Sequence, residues 1–271
     1  MRRSPLPVLI AACVVVAAVL AWLFLQRFVV GPAAAIDSAG PTVAEIRTPG
    51  AFTRISVAGL ANVELVQGDR HEVRIEAPAG GAQRVRTRID GETLAITNRG
   101  GQVEIPLFGG GARTSSPLIV VTAPSIESIA ADGAVTISAG KLDVPALRVS
   151  ASGATKLRID DLRAESLRLS GAGAVRVDLA GRVTEQSISL SGAGDYRAPG
   201  LLSETAKVSV AGAGRVVVHA EKSLRASLSG AGVVEYLGNP EVNESVSGIG
   251  RVKRRETRAT PMGTGFRVAA I

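Results

Sequence analysis

From residue 43 onward the chain alternates apolar and polar positions with a period of two, and glycine punctuates that alternation with increasing regularity. Phe52, Ile55 and Val57 lead into Gly59, followed by Val63 and Leu65. Gln67-Gly68-Asp69-Arg70 predicts a turn before Val73 and Ile75. Arg84 to Ile89 and Thr93 to Thr97 alternate in the same way, separated by Gly91. Residues 43–107 therefore read as short strands that begin a stack with irregular rungs. Phe108-Gly109-Gly110-Gly111-Ala112-Arg113-Thr114-Ser115-Ser116-Pro117 reads as a surface loop. A glycine cluster that cradles phosphate needs a helix directly after it, whereas Leu118-Ile119-Val120-Val121 predicts a strand.

Beyond residue 123 one phrase recurs seven times, most fully as Ser170-Gly171-Ala172-Gly173. Aligned on their first glycines (Gly133, Gly153, Gly171, Gly192, Gly212, Gly230 and Gly248), the copies lie 18 to 21 residues apart, the period of a solenoid. Two positions before these glycines stand Ala131, Ala151, Leu169, Leu190, Val210, Leu228 and Val246. Four positions after them stand Ile137, Leu157, Val175, Tyr196, Val216, Val234 and Val252. Both sets share the parity of the glycine, which predicts one apolar face with the glycine as an inward corner. Leu142, Leu162, Val183, Leu202 and Leu224 can close each rung as a third, shorter side. No amphipathic helical run separates the strands, which argues against βαβ and leucine-rich arrangements. The expected fold is all-β, a right-handed parallel β-helix (solenoid) with rungs of about 20 residues. Glu244 and Arg254 interrupt the apolar pattern in the last repeat, where a polar end cap belongs.

The expected organisation is a signal peptide or signal-anchor helix over residues 1–31, a tether over 32–42, and a β-helix domain over 43–254. Within that domain the irregular rungs occupy 43–122 and the repeats 123–254, and a basic tail covers 255–271. Leu6 to Leu25 is apolar, flanked by Met1-Arg2-Arg3 and Gln26-Arg27. About 20 such residues suffice to span a bilayer, and the flanking positive charges favour export of the body. Ala33-Ala34-Ala35 offers small residues for cleavage, so a cleaved signal and a retained membrane anchor both stand. Either one directs the protein to the cell envelope, anchored in the inner membrane facing the periplasm or released into the periplasm. Cys13, the single cysteine, lies inside the apolar run, so the exported body has neither a disulfide framework nor a thiol.

Composition narrows the core and the partners. Of 271 residues 46% are hydrophobic but only 3% aromatic, so thin layers of Val, Ile, Leu and Ala must fill the interior. The formal charge of +7 invites a nucleic-acid reading. Of the 31 basic residues, three flank the apolar run and six lie in the last 21 positions, which leaves 22 against 23 acidic residues over 32–250. That balance, with five scattered aromatics outside the anchor, excludes a nucleic-acid stripe. The basic segment Arg251, Lys253, Arg254, Arg255 and Arg258 reads as a solvated tail.

Candidate chemistry is sparse. His71 and His219 are the only histidines, too few for a triad or a zinc site without nearby partners. Gly192-Ala193-Gly194-Asp195 is similar to a calcium β-roll, but the other repeats lack the aspartate. Asp160, Asp161, Asp178 and Asp195 are the carboxylates a β-helix glycan hydrolase or lyase would use. No cofactor, metal or catalytic set is expected. The residues after the first glycine suggest a candidate association ridge of Ala134, Ala154, Ala172, Ala193, Ala213 and Ala231, a surface for homo-oligomers or for an envelope glycan or protein.

Three stretches together resemble a known family: Phe52-Thr53-Arg54-Ile55-Ser56-Val57 with Val63-Glu64-Leu65, the Ser-Gly-Ala-Gly series, and Val234-Glu235-Tyr236-Leu237-Gly238-Asn239-Pro240 before Ser247-Gly248-Ile249-Gly250. Over residues 43–254 the chain resembles the bacterial autotransporter adhesin head, or GIN, domain family. The resemblance implies a parallel β-helix, an N-terminal signal or anchor and an envelope location, and it carries no catalytic residues onto this chain. The function it suggests is a non-catalytic envelope protein with a structural or adhesive role; a carbohydrate-active enzyme and a sensory ectodomain are the alternatives.

Overall fold

Uninterrupted alternation makes nearly every described segment a strand, and the strands can satisfy their backbone groups only by stacking on one another. The computed structural model describes residues 42–78, 81–98 and 116–255. The apolar N-terminal segment and tether, the glycine cluster up to Ser115 and the tail beyond Arg255 lie outside these residues. In chain order the strands are β1 (Thr42–Arg47), β2 (Arg54–Gln67), β3 (Glu72–Pro78), β4 (Val85–Asp90), β5 (Thr93–Asn98) and β6 (Leu118–Ala123). β7 (Ser128–Asp143), β8 (Ala146–Gly230), β9 (Val233–Leu237), β10 (Glu241–Gly248) and β11 (Arg251–Arg254) complete one sheet of 11 strands.

Pairing is parallel through the repeats: β2 with β7, β7 with β8, β8 with β9 and β10, and β9 with β11. The beginning is built differently from the expected irregular rungs. β1 pairs antiparallel with β3, β3 with β6, and β4 with β5, so the first rung is overlaid by hairpin-like strands. Arg47 ties this layer together, donating to the Val85 carbonyl at 2.9 Å and the Thr87 hydroxyl at 3.0 Å.

β8 alone is 85 residues long and would extend about 280 Å if straight. Instead it lies back on itself rung by rung, and a column of glycines marks where. Gly59 pairs with Gly133, Gly133 with Gly153, and Gly230 with Gly248. Between these, Gly173, Gly192 and Gly212 stack in turn, and all eight glycines hold positive φ, from +78° to +123°.

Two expectations about this phrase are corrected. The third repeat enters the column on Gly173 and not on Gly171, which gives steps of 20 and 19 residues where the first-glycine alignment demanded 18 and 21. The column glycines also do not point inward. From Gly153 to Gly248 they are exposed, and a Cβ on any glycine from Gly133 to Gly248 would meet the carbonyl oxygen of the glycine one rung below at 2.6–3.0 Å. Backbone lies on backbone along an outward corner, and a left-handed φ is needed at the same point, so glycine is required twice over.

The inward positions are the neighbours two residues away, and their sizes compensate. Where the position two before the column is small (Ala131, Ala151, Gly171), the position two after is Val135, Thr155 or Val175. Where it is large (Leu190, Val210, Leu228, Val246), the position two after is Gly194, Gly214, Gly232 or Gly250. The reason is contact: a Cβ on Gly194 would lie 2.9 Å from Leu190 Cδ1, and one on Gly171 would lie 2.8 Å from Leu190 Cδ2. A fixed volume under each corner is filled from either side.

The rest of the core is aliphatic, as expected. On the third side Leu142, Leu162, Val183 and Leu224 are buried, but Leu201 is buried where Leu202 was expected. Tyr196 is fully buried, and burial raises the pKa of its phenol. Its hydroxyl donates to Gln186 Oε1 at 3.0 Å, Gln186 Nε2 donates to Ser203 Oγ at 2.7 Å, and Ser203 Oγ donates to the His219 carbonyl at 2.6 Å. These groups satisfy one another across neighbouring rungs.

Gly212→Ala should destabilise the fold by about 1–3 kcal/mol in chemical denaturation, whereas Gly140→Ala, with open space around it and no positive φ, should change stability by less than about 0.5 kcal/mol. Equal effects would refute the stacked corner. Gly194→Val and Leu190→Ala should each destabilise by about 1–4 kcal/mol, and the double variant should recover at least about 1 kcal/mol of their sum. Simple additivity would show that the two positions do not share one volume.

Candidate functional site

Strict alternation sends every second residue outward, and stacking turns equivalent positions into columns about 4.8 Å apart. On the strand entering each corner, the column three positions before the glycine is Ser150, Ser170, Ser189, Ser209, Ser227 and Ser245, all exposed. Beside it, five positions before the glycine, stand Arg148, Arg168, Ser187, Lys207, Arg225 and Asn243. Arg168, Lys207 and Arg225 also line a groove of about 600 Å³, together with Glu185, Gln186 and Glu241. Among the described residues none of Arg148, Arg168, Lys207 or Arg225 forms an ion pair with a carboxylate. Closer to the corner, Ser152 donates to Asp132 at 2.7 Å across adjacent rungs.

The strand leaving each corner presents a different face. Several of its charges pair: Asp195 meets Arg197 at 2.6 Å and Arg176 at 3.8 Å, and Asp160 meets Arg158 at 2.8 Å. Glu235 accepts from Lys253 at 3.0 Å, and that hydrogen bond outweighs partial burial and holds its carboxyl below the usual range; Lys253, Arg215 and Arg255 add Coulombic attraction. A groove of about 1020 Å³ on this face is lined by Asp160, Asp178, Arg197, Arg215, Glu235 and Lys253.

The sequence-predicted candidates fall as follows. Asp160 and Asp178 share this groove, while Asp161 lines a separate one and meets Arg163 at 3.6 Å. His219 stands on the charge-paired face, its Nδ1 3.4 Å from the Pro199 carbonyl. His71 packs against Phe52 near the beginning of the stack, with ring centroids 4.8 Å apart. Among the described residues no three His, Cys, Asp or Glu side chains gather as a metal group.

The alanines Ala134, Ala154, Ala193, Ala213 and Ala231 each follow a column glycine and are exposed. In the third rung that place belongs to Ala174. Ala172 precedes Gly173 and so occupies the position of Ser152 and Ser191, a consequence of the two-residue register correction.

The basic and serine columns were missed at the level of sequence, although their signal is present. Aligning the third repeat on Gly171 puts Arg168 among the serines and Ser166 among the basic residues, so neither column looks continuous. Aligned on Gly173, Arg168 falls beside Arg148 and Ser170 beside Ser150.

Comparison with known proteins agrees with this architecture. A putative adhesin from Bacteroides fragilis superimposes with a TM-score of 0.71 at 20% identity, covering 79% of this chain and 97% of that one. A putative lipid binding protein from Parabacteroides distasonis gives 0.61 at 18% identity, with 80% and 98% covered. A putative adhesin from Parabacteroides merdae gives 0.59 at 19% identity, with the same coverage. At these identities the likeness is one of fold. None of the curated proteins matches the chain. The family model described as "Putative auto-transporter adhesin, head GIN domain" matches residues 51–240, from the first rung to the turn before the last, and the chain belongs to that family.

Proposed function

We propose that the protein is a non-catalytic adhesion module of the bacterial cell envelope, a right-handed β-helix tethered or released through its N-terminal segment, and that it holds an anionic polysaccharide on its serine and arginine face. The observation that carries this reading is the contrast between the two faces flanking the glycine corner. One pairs Arg158, Arg176, Arg197 and Lys253 with neighbouring carboxylates, whereas the other leaves Arg148, Arg168, Lys207 and Arg225 without an ion pair among the described residues, beside six aligned serine hydroxyls.

The chemistry suits a polymer. A guanidinium offers a planar fork to a carboxylate, and serine hydroxyls both donate to and accept from sugar hydroxyls. Rung spacing sets the hydroxyls at a constant interval, so a chain laid along the column meets the same environment repeatedly. Each contact is exposed and individually weak, and retention comes from their number. The relatives named as adhesins support the class of function.

Full-length protein in detergent should be retained on immobilised polygalacturonate but not on neutral dextran, and moderate salt should release it. Arg168→Glu with Lys207→Glu should weaken retention at least tenfold, whereas Arg197→Gln on the opposite face should leave it unchanged. Equal retention on dextran, or indifference to the double reversal, would overturn the proposal.

A further inference from the structure

The two ends of the stack are finished in different ways. At the beginning, β1, β3 and β4 lie antiparallel over the first parallel strands. At the far end β10 hydrogen-bonds to β8 and β11 to β9, each along one edge only, and no strand covers the opposite edges among the described residues. The inward positions there are less covered than those one rung below: Val246 repeats buried Leu228 yet is 40% exposed, Val252 repeats buried Val234 yet is only half-buried, and Ile249, on the outward side of the corner, is 84% exposed. Such an open edge is a template for another strand.

We infer that this end of the stack pairs with the same end of a second copy, through a two-fold axis at Ile249. The argument is one of register. β10 and β11 are the two arms of a rung whose corner is Gly248, and a two-fold in the plane of that rung exchanges the arms and reverses the stack. Centred on Ile249, antiparallel pairing sets Glu244 against Arg254 of the second copy, Val246 against Val252, and Gly248 against Gly250. Along the arms the inward residues Glu244, Val246, Val252 and Arg254 then meet inward residues, and only at the corner does inward Gly250 face the outward corner glycine Gly248.

Charge selects this arrangement. Glu244 replaces a core position held by Ala226 one rung below, and Arg254 one held by Tyr236. Neither forms an ion pair among the described residues. They carry opposite charges on opposite arms, five residues to either side of Ile249, so the two-fold forms the pair twice. On the outward side Ser245 faces Lys253 and Ser247 faces Arg251, with no like charges opposed. An isologous contact of this kind closes at two copies, whereas stacking this end on the hairpin-covered beginning would not bring Glu244 to Arg254. The inference shares Ser245 with the proposed polysaccharide face, uses none of its basic residues, and stands independently of that reading.

The test uses the full chain in detergent with Cys13→Ser, so that an introduced cysteine is the only one. Ile249→Cys lies on the axis and should give a disulfide-linked dimer on mild copper-phenanthroline oxidation; Ala134→Cys, exposed near the other end, should give no disulfide-linked dimer. By analytical ultracentrifugation, Glu244→Arg and Arg254→Glu should each raise the dimer dissociation constant at least tenfold, and the double reversal should restore it. Unchanged secondary-structure content by circular dichroism would separate lost association from misfolding. A monomer at all accessible concentrations, a dimer indifferent to the reversals, or dimerisation only after residues 256–271 are removed would each overturn the inference, the last by showing that the chain's own tail covers the edge.

Discussion

Everything in this fold depends on one contact: the peptide of one corner glycine resting on the peptide of the glycine below. The approach leaves no room for a Cβ, and the backbone turns there through a left-handed conformation. Between Gly59 and Gly248 eight glycines of positive φ make seven such contacts. The rungs are free to vary in length, from 18 to 20 residues, because only the corner has to superimpose. Loop insertions on the third side therefore cost little, while any side chain at the corner obstructs the whole stack.

Much of this was legible in the chain. The period, the alternation and the apolar parity lead to parallel stacked strands by elementary arguments, and the departure of Glu244 and Arg254 from the pattern marked the end of the stack. The antiparallel layer over the first rung was not legible, since a strand's alternation carries no information about the direction of its neighbour. The orientation of the corner was misread for a related reason. Parity places Gly153 with Ala151 and Thr155, but a positive φ at the glycine breaks the pleat, so its neighbours point inward and it does not. The size exchange between Leu190 and Gly194, or between Ala131 and Val135, was visible as composition yet had no meaning until the two positions were known to share a space.

The candidate site was less legible than the fold. A ladder is a property of register, and a two-residue error in one repeat dissolves it. Arg148, Arg168, Lys207 and Arg225 look like scattered surface residues until Gly173 is recognised as the corner. Overall charge concealed them as well, because carboxylates elsewhere on the body bring its total near neutrality while Arg148, Arg168, Lys207 and Arg225 stand in one column. Near-neutral composition excluded nucleic acid but said nothing of how the charge was divided between faces.

The repeated phrase carries an ambiguity of its own. Gly171 and Gly173, Gly192 and Gly194, Gly212 and Gly214, Gly230 and Gly232, and Gly248 and Gly250 each offer two glycines two residues apart, and a slip by that step would keep the inward and outward residues on their proper sides. Aliphatic side chains would barely register such a frameshift. The buried cluster of Tyr196, Gln186 and Ser203 would, since a slipped rung would leave a phenol and an amide in an apolar interior without partners. In a stack of nearly interchangeable layers, these three polar side chains act as an index mark, setting the count of rungs from the middle of the coil outward.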